Sequence, residues 1–326
     1  MRKRRGVALL AALWLVVAIS IVALQFSLDA RDRRTLGLDA SERGVERAAA
    51  LGALNMMHAR MEQVLRIAPS GTNVARLRAA DPWMDADSVF SGVVYVDSMP
   101  VMVRVRDLGA QLNVAQVNEN QLRTFFQFAL GDFTLADKLA QSIMDWRDAD
   151  SIARPRGAER DDYIEAEKMA LPTNAPFRQL TDLLDVLGMT PEIYAKVSPY
   201  LRVRGSGLIN LNTAPPLVLR TLPGMTDATL NRIIQLRSQG RRISSPAEVF
   251  GTVAVPGGGR GRGAIAGQVQ SVAAQAQMAS ATTVETTEVE LTITAQIGPQ
   301  SRPIQLIASM TRGQGGTSAT ILSRQW

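Results

Sequence analysis

Arg2-Lys3-Arg4-Arg5-Gly6 runs directly into Val7–Leu24, an apolar stretch broken only by Ser20. At helical rise those eighteen residues reach about 27 Å, close to the hydrocarbon thickness of a bilayer. The apolar core of a cleaved signal peptide is shorter, about 7–15 residues, and ends at a small-x-small site. No Ala-x-Ala boundary follows Leu24. A single glycine between the basic tail and the apolar run suits a leader cut on the cytoplasmic side, which leaves the hydrophobic helix in the mature protein. Arg31, Arg33, Arg34, Arg43 and Arg47 follow the span, so the count of basic residues does not orient it. The short tail does, because a long body after a first span is readily exported. The reading is a cytoplasmic N-terminus with the body outside.

Of 326 residues, 46% are hydrophobic and 5% aromatic, and none is cysteine. Beyond the anchor about 300 residues remain, enough for one large or two ordinary domains. An exported body without cysteine folds without disulfides and relies on its core or on metal. Formal charge is +6, but four basic residues occupy positions 2–5, and their removal would lower it to +2. The high isoelectric point is therefore weak evidence for nucleic-acid binding.

Leu54, Met57, Met61 and Val64 fall at helical spacing, a stripe that reads as core packing against a sheet, and His58 beside it reads as structural or solvated. Pro69-Ser70-Gly71 stops this helix. Gly92–Val96 and Val101–Val105 read as strands around a turn at Ser98-Met99-Pro100, and Val289–Ala295 and Pro303–Met310 as two more. Between them the pattern is helical from about Gln121 to Phe250. The expected fold is α+β: a long N-terminal helix on an antiparallel sheet that a large all-α insertion interrupts. The boundaries are a leader 1–6, a transmembrane helix 7–28, and a neck with the first half of the sheet domain 29–112. The insertion 113–250, a flexible Gly/Ala/Gln-rich linker 251–285 and C-terminal strands 286–326 follow.

The insertion contains a near-repeat. Leu184-x-x-Leu187-Gly188-Met189-Thr190 recurs as Leu219-x-x-Leu222-Pro223-Gly224-Met225-Thr226, each between apolar helical stretches, which is a helix-hairpin-helix pattern. Leu112-Asn113-Val114 is echoed more loosely by Ile209-Asn210-Leu211-Asn212-Thr213-Ala214. Hairpins of this kind bind DNA phosphates through backbone N–H groups after Gly-x-Gly turns, but both copies read Gly-Met-Thr. Arg232, Arg237, Arg241 and Arg242 form a basic stretch after the second copy. A membrane-tethered DNA-uptake protein is thus the alternative reading.

Chemistry on a substrate has little to work with. Cysteine is absent, the lone histidine lies in the long helix, and zinc would want several Cys or His ligands. The sequence argues against an enzyme and against a small-molecule substrate. One acidic cluster stands apart: Asp145, Asp148, Asp150, Glu159, Asp161 and Asp162, on a Pro/Gly loop between helices. Clustered carboxylates suit calcium, but the EF-hand spacing is missing. On the residues alone, a solvated loop paired with Arg147, Arg154, Arg156 and Arg160 is the better reading, with calcium the other.

Together these features resemble the type II secretion minor pseudopilin K family (general secretion pathway protein K). The basic leader ending in Gly6 before Val7-Ala8-Leu9-Leu10 looks like a prepilin peptidase site. Leu208–Pro215 with Leu222-Pro223-Gly224-Met225 is similar to one block of the family. Asp145-Trp146-Arg147-Asp148-Ala149-Asp150 with Arg154-Pro155-x-Gly157-Ala158-Glu159-x-Asp161-Asp162-Tyr163 is similar to the other. The resemblance implies cleavage after Gly6, N-methylation of Val7, and an inner-membrane anchor with a periplasmic body. It implies other minor pseudopilins, of the I and J types, as partners in a tip complex, and no nucleic acid. Ala11 stands where most pilin-like subunits carry a Glu that neutralises a neighbour's terminal amine, which fits a tip subunit with no preceding neighbour. Calcium at a subset of the six carboxylates becomes the favoured reading.

Overall fold

The computed structural model describes residues 4–67, 82–250, 277–298, 301–313 and 318–326; in the first segment, side chains are described at 13–17, 19–21, 23–27 and 40–67. In chain order the elements are α1 (Arg4–Ile67), a 3-10 turn (Pro82–Asp85), α2 (Ala86–Val89), β1 (Gly92–Val96), β2 (Met99–Asp107), β3 (Leu112–Asn113), α3 (Glu119–Leu130), α4 (Phe133–Arg147) and α5 (Arg160–Glu165). After a 3-10 segment (Leu180–Asp185) come α6 (Pro191–Val197), β4 (Leu201–Arg202), β5 (Ile209–Asn210), α7 (Pro216–Leu219), α8 (Asp227–Ser238) and α9 (Ala247–Phe250). The chain ends in β6 (Thr282–Thr283), β7 (Glu288–Ala295), β8 (Ile304–Arg312) and β9 (Ala319–Gln325).

The sheet is built first from local turns. Asp97 and Ser98 both adopt positive φ, and Val96 pairs with Met99, so a two-residue hairpin turn joins β1 to β2. The turn lies one residue earlier than the sequence suggested, and Pro100 is inside β2, before pairing with β7 begins at Val101. Five antiparallel strands follow the order β1-β2-β7-β8-β9. Residues 108–287 therefore leave and re-enter the sheet between neighbouring strands.

On one face of this sheet lies α1. Alternate residues of the central strands, Val101, Val103 and Val105 in β2 and Val289, Leu291 and Ile293 in β7, are buried against its stripe Ala50, Ala53, Leu54, Met57 and Met61. The methionine stripe is core, as its spacing indicated. Gly52 allows the close approach: a Cβ there would come within 2.8 Å of Val96 Cγ1. His58 bonds through Nε2 to the carbonyl of Ala319 at 2.8 Å, tying the helix to β9.

The apolar run Val7–Leu24 belongs to α1, but Gly6, Val7 and Ala11 are among its residues outside the described side chains. Among the described residues, no helix is long and apolar enough to cross a membrane.

Residues 108–287 carry a second core, around Leu122, Phe125, Phe126, Leu139, Ile143 and Leu219. The insertion is not all-α as expected, because two short parallel pairs, β3 with β4 and β5 with β6, close its loops. The linker also ends sooner than its composition indicated. Residues 251–276 lie outside the described residues, whereas 277–281 are helical and Met278, Thr282 and Val284 are buried. A two-residue strand beside β5 needs only β-branched Thr282 and Thr283 and one neighbour, too little for composition to reveal.

The near-repeats have a structural meaning. Gly188 and Gly224 both take positive φ, and Thr190 and Thr226 then cap α6 and α8 by accepting from Ile193 and Thr229 N–H. In the looser echo, Asn113 and Asn210 each accept from the backbone N–H two residues on. The next carbonyl, of Val114 or Leu211, accepts from an arginine at the end of a later helix, Arg147 or Arg237. The same arginines also reach the carbonyls of Val117 and Ala214.

The two cores meet at Asp107, the last residue of β2. Its carboxylate is buried and accepts from Gly109 N at 2.8 Å, Asn210 Nδ2 at 2.7 Å, Thr213 Oγ1 at 2.6 Å and Thr286 Oγ1 at 3.0 Å.

Candidate metal centre

The acidic loop is held between α4 and α5. Asp145 is on the last turn of α4, Asp148 terminates that helix, and Glu159 opens α5. Behind the loop, Trp146 stacks on Phe177 with ring centroids 6.3 Å apart and packs against Tyr163. The Tyr163 hydroxyl accepts from Leu187 N–H at 2.8 Å, and burial pushes it up to about 12. An apolar wall thus backs a cluster of charge.

Carboxylate oxygens of Asp148, Asp150 and Glu159 lie within 4.8 Å of one another. Two of the cluster's oxygens, Asp148 Oδ1 and Glu159 Oε1, are buried with no hydrogen-bond partner. Burial, with the charges of Asp145, Asp148 and Asp150, raises the Glu159 pKa above its ordinary value. Orphaned buried carboxylate oxygens are costly, and a hard cation taking oxygen ligands at about 2.3–2.6 Å would satisfy them. The residues fit calcium: three carboxylates from one loop, converging on unfilled lone pairs.

The other three predicted carboxylates do different work. Asp145 is wholly buried; its Oδ1 takes the Arg154 guanidinium and its Oδ2 the Arg154 N–H at 3.1 Å. Burial still raises its pKa, against the pull of Arg154. Asp162 accepts the Glu159 N–H at 2.8 Å and so caps α5, while Asp161 is exposed on that helix. Gly157 is required by contact, since a Cβ there would sit 1.8 Å from Asp145 Oδ2.

The arginines read as solvated partners divide in the same way. Arg154 bridges Asp145, Asp148 at 2.6 Å and Glu119 at 3.4 Å; burial would lower its pKa, but Asp148 and Asp145 hold it above the ordinary arginine value. Arg156 pairs with Asp137 at 3.5 Å, Arg147 is the half-buried partner of the Val114 and Val117 carbonyls, and Arg160 is exposed. Sequence reasoning missed the central place of Arg154. The signal was its position on the Pro/Gly loop between the carboxylates on either side.

Three of the four arginines in the basic stretch after the second hairpin are engaged within the fold, while Arg232 is exposed. Arg237 is spent on the carbonyls of Leu211 and Ala214, and burial pushes it down to about 10. Arg241 pairs with Glu248 at 3.3 Å and Arg242 with Asp85.

Comparison with known proteins is consistent over this region. Residues 104–206, which include the acidic loop, match the family model described as Type II secretion system (T2SS), protein K. The Type II secretion system protein K of Dickeya chrysanthemi is 32% identical over 133 residues, 38% of this chain and 36% of that relative, so the match spans about a third of the relative's length. A chain from the crystal structure of the GspK-GspI-GspJ complex of the enterotoxigenic Escherichia coli type 2 secretion system shares the fold. Its TM-score is 0.63 at 15% identity, over 90% of this chain and 98% of that one.

Proposed function

We propose that this chain, whose residues 104–206 belong to the type II secretion system protein K family, is a minor pseudopilin at the tip of a periplasmic pseudopilus. The family match carries the reading, and the shared fold with a chain of the GspK-GspI-GspJ complex supports it. Minor pseudopilins of the I and J types are its partners, and its part is mechanical: it starts assembly and caps the fibre, with residues 108–287 blocking addition above it. It performs no chemistry on a substrate. Deleting the gene in its own bacterium should trap folded exoproteins in the periplasm, with export restored by the intact chain. Unchanged export in the deletion strain would overturn the assignment.

The N-terminal processing belongs to the same proposal. Prepilin peptidase cuts after Gly6 in the inner membrane, Val7 is N-methylated, and Val7–Leu24 anchors the mature chain. Ala11 replaces the carboxylate of other subunits, so no partner amine is neutralised there. Mass spectrometry of the mature N-terminus should find Val7 carrying one methyl group; a start near residues 25–30 would rule this out.

Calcium is proposed for Asp148, Asp150 and Glu159, where it would supply structural cross-linking of the loop. Arg154 holds Asp145 and Asp148 in place, and Gly157 leaves room for that contact. A ligand that binds only the folded state raises the melting temperature by mass action. Calcium should therefore raise it for the full chain and lose that effect with Asp150→Asn; no shift at millimolar calcium would discard the site.

A further inference from the structure

On the sheet face turned away from α1, two cross-strand rows lie side by side. One reads Arg106, Glu290, Ser309, Ser323 across β2, β7, β8 and β9, and the next reads Arg104, Thr292, Ile307, Gln325. Within the first row the hydroxyls of Ser309 and Ser323 bond at 2.6 Å. The helical subdomain rises beside this floor. Leu180, Tyr194 and Arg204 contribute its side of a groove of about 620 Å³, which Trp326 also lines.

The groove has more positive charge than it uses. Arg106, Arg202 and Arg204 line it against one carboxylate, Glu290. Arg202 is committed, to Glu288 at 3.6 Å and to the carbonyl of Gln111 at 3.2 Å. Among the described residues, the side chains of Arg106 and Arg204 make no hydrogen bond or close ion pair. Burial raises the Glu290 pKa, while Arg106, Arg202 and Arg204 act to lower it.

We propose that this groove receives an acidic segment of a partner protein, its carboxylates paired with Arg106 and Arg204 and an apolar side chain seated on Ile307 and Tyr194. Guanidinium groups on a partly dry floor bind carboxylates through paired N–H donors. A basic segment would meet like charge on the same floor and is rejected. The apolar strip supplies contact area that a purely electrostatic site lacks. The inference does not depend on the pseudopilin reading, because it concerns only the charge and shape of this face.

The test uses the full chain in lipid nanodiscs, with a fluorescent peptide of glutamates around one central leucine and its lysine counterpart. The glutamate peptide should bind, weaken as salt is raised, and lose about tenfold or more in affinity with Arg204→Glu, a further loss following in Arg106→Glu/Arg204→Glu. Arg204 is exposed, so the single variant should keep the wild-type melting temperature and decides the matter if the double variant misfolds. No binding of the glutamate peptide, equal binding of the lysine peptide, or an unchanged affinity in Arg204→Glu would overturn the proposal. Each result reads binding rather than export, so failure here is separate from failure of the secretion assignment.

Discussion

Asp107 is where the sheet passes the chain to the helical subdomain, and four donors converge on its buried carboxylate. Asp107→Ala would leave Asn210, Thr213 and Thr286 without their acceptor, and should cost about 2–4 kcal/mol in denaturant unfolding. A loss below about 0.5 kcal/mol would mean that water replaces the network. Burial raises the Asp107 pKa, whereas that of Asp137 is shifted the opposite way. Burial opposes its ionisation, but Arg123 at 2.6 Å and Gln141 at 3.0 Å prevail and hold its pKa below the ordinary aspartate value of 3.8. A depressed carboxylate adds stability above its unfolded pKa and loses it as pH falls through the folded value. Asp137→Asn should therefore be less stable than wild type by about 1–2 kcal/mol at neutral pH. The gap should close as pH drops below 3.8; a gap independent of pH would show that charge is not its origin. Neither role was legible in the sequence, where Asp107 ends an ordinary alternating strand and Asp137 is one helical acid among several. Their partners lie up to 179 positions away.

At the scale of elements, helix α1 and the strands were readable because their burial follows their own period. Met57 and Met61 are buried on one stripe, and β7 alternates buried and half-buried residues along its length. What the period does not show is how closely the two surfaces approach. Gly52→Leu should force α1 away from β1, costing about 1–3 kcal/mol by overpacking; thermal melting that matches wild type would disprove the close contact. The hairpins were legible as Gly-Met-Thr turns, and their caps confirm the pattern locally. Their arginines were not. Arg147 and Arg237 close their loops from helix ends 33 and 26 residues away. Arg237→Met should leave the Leu211 and Ala214 carbonyls short of donors and destabilise by about 2–3 kcal/mol. That variant should lose amide-exchange protection first around β5, and uniform loss across both cores would contradict so local a role.

For the whole molecule, the arrangement of the cores leads to a direct expectation. Because β2 and β7 are antiparallel neighbours, with Asp107 opposite Val289, replacing residues 108–288 by an Asn-Gly turn should leave a hairpin in the same register. The shortened chain should keep strand signal and a cooperative melt, at reduced stability because the Asp107 network and the Arg202–Glu288 contact are gone. A chain that does not fold would show that the sheet depends on the helical subdomain. The sequence by itself determined the α+β character, the basic tail against an apolar run, the amphipathic stripe, the turn glycines and the concentration of carboxylates between Asp145 and Asp162. These are local patterns, set by periodicity and by neighbours a few residues apart. Only the tertiary structure decided that Asp148, Asp150 and Glu159 converge while Asp145 answers to Arg154, that β5 and β6 pair, and that a basic groove lies between sheet and helices. Each of those depends on which distant surfaces meet and on what burial does to their charges. A one-dimensional pattern counts charges but does not say which of them lose their water.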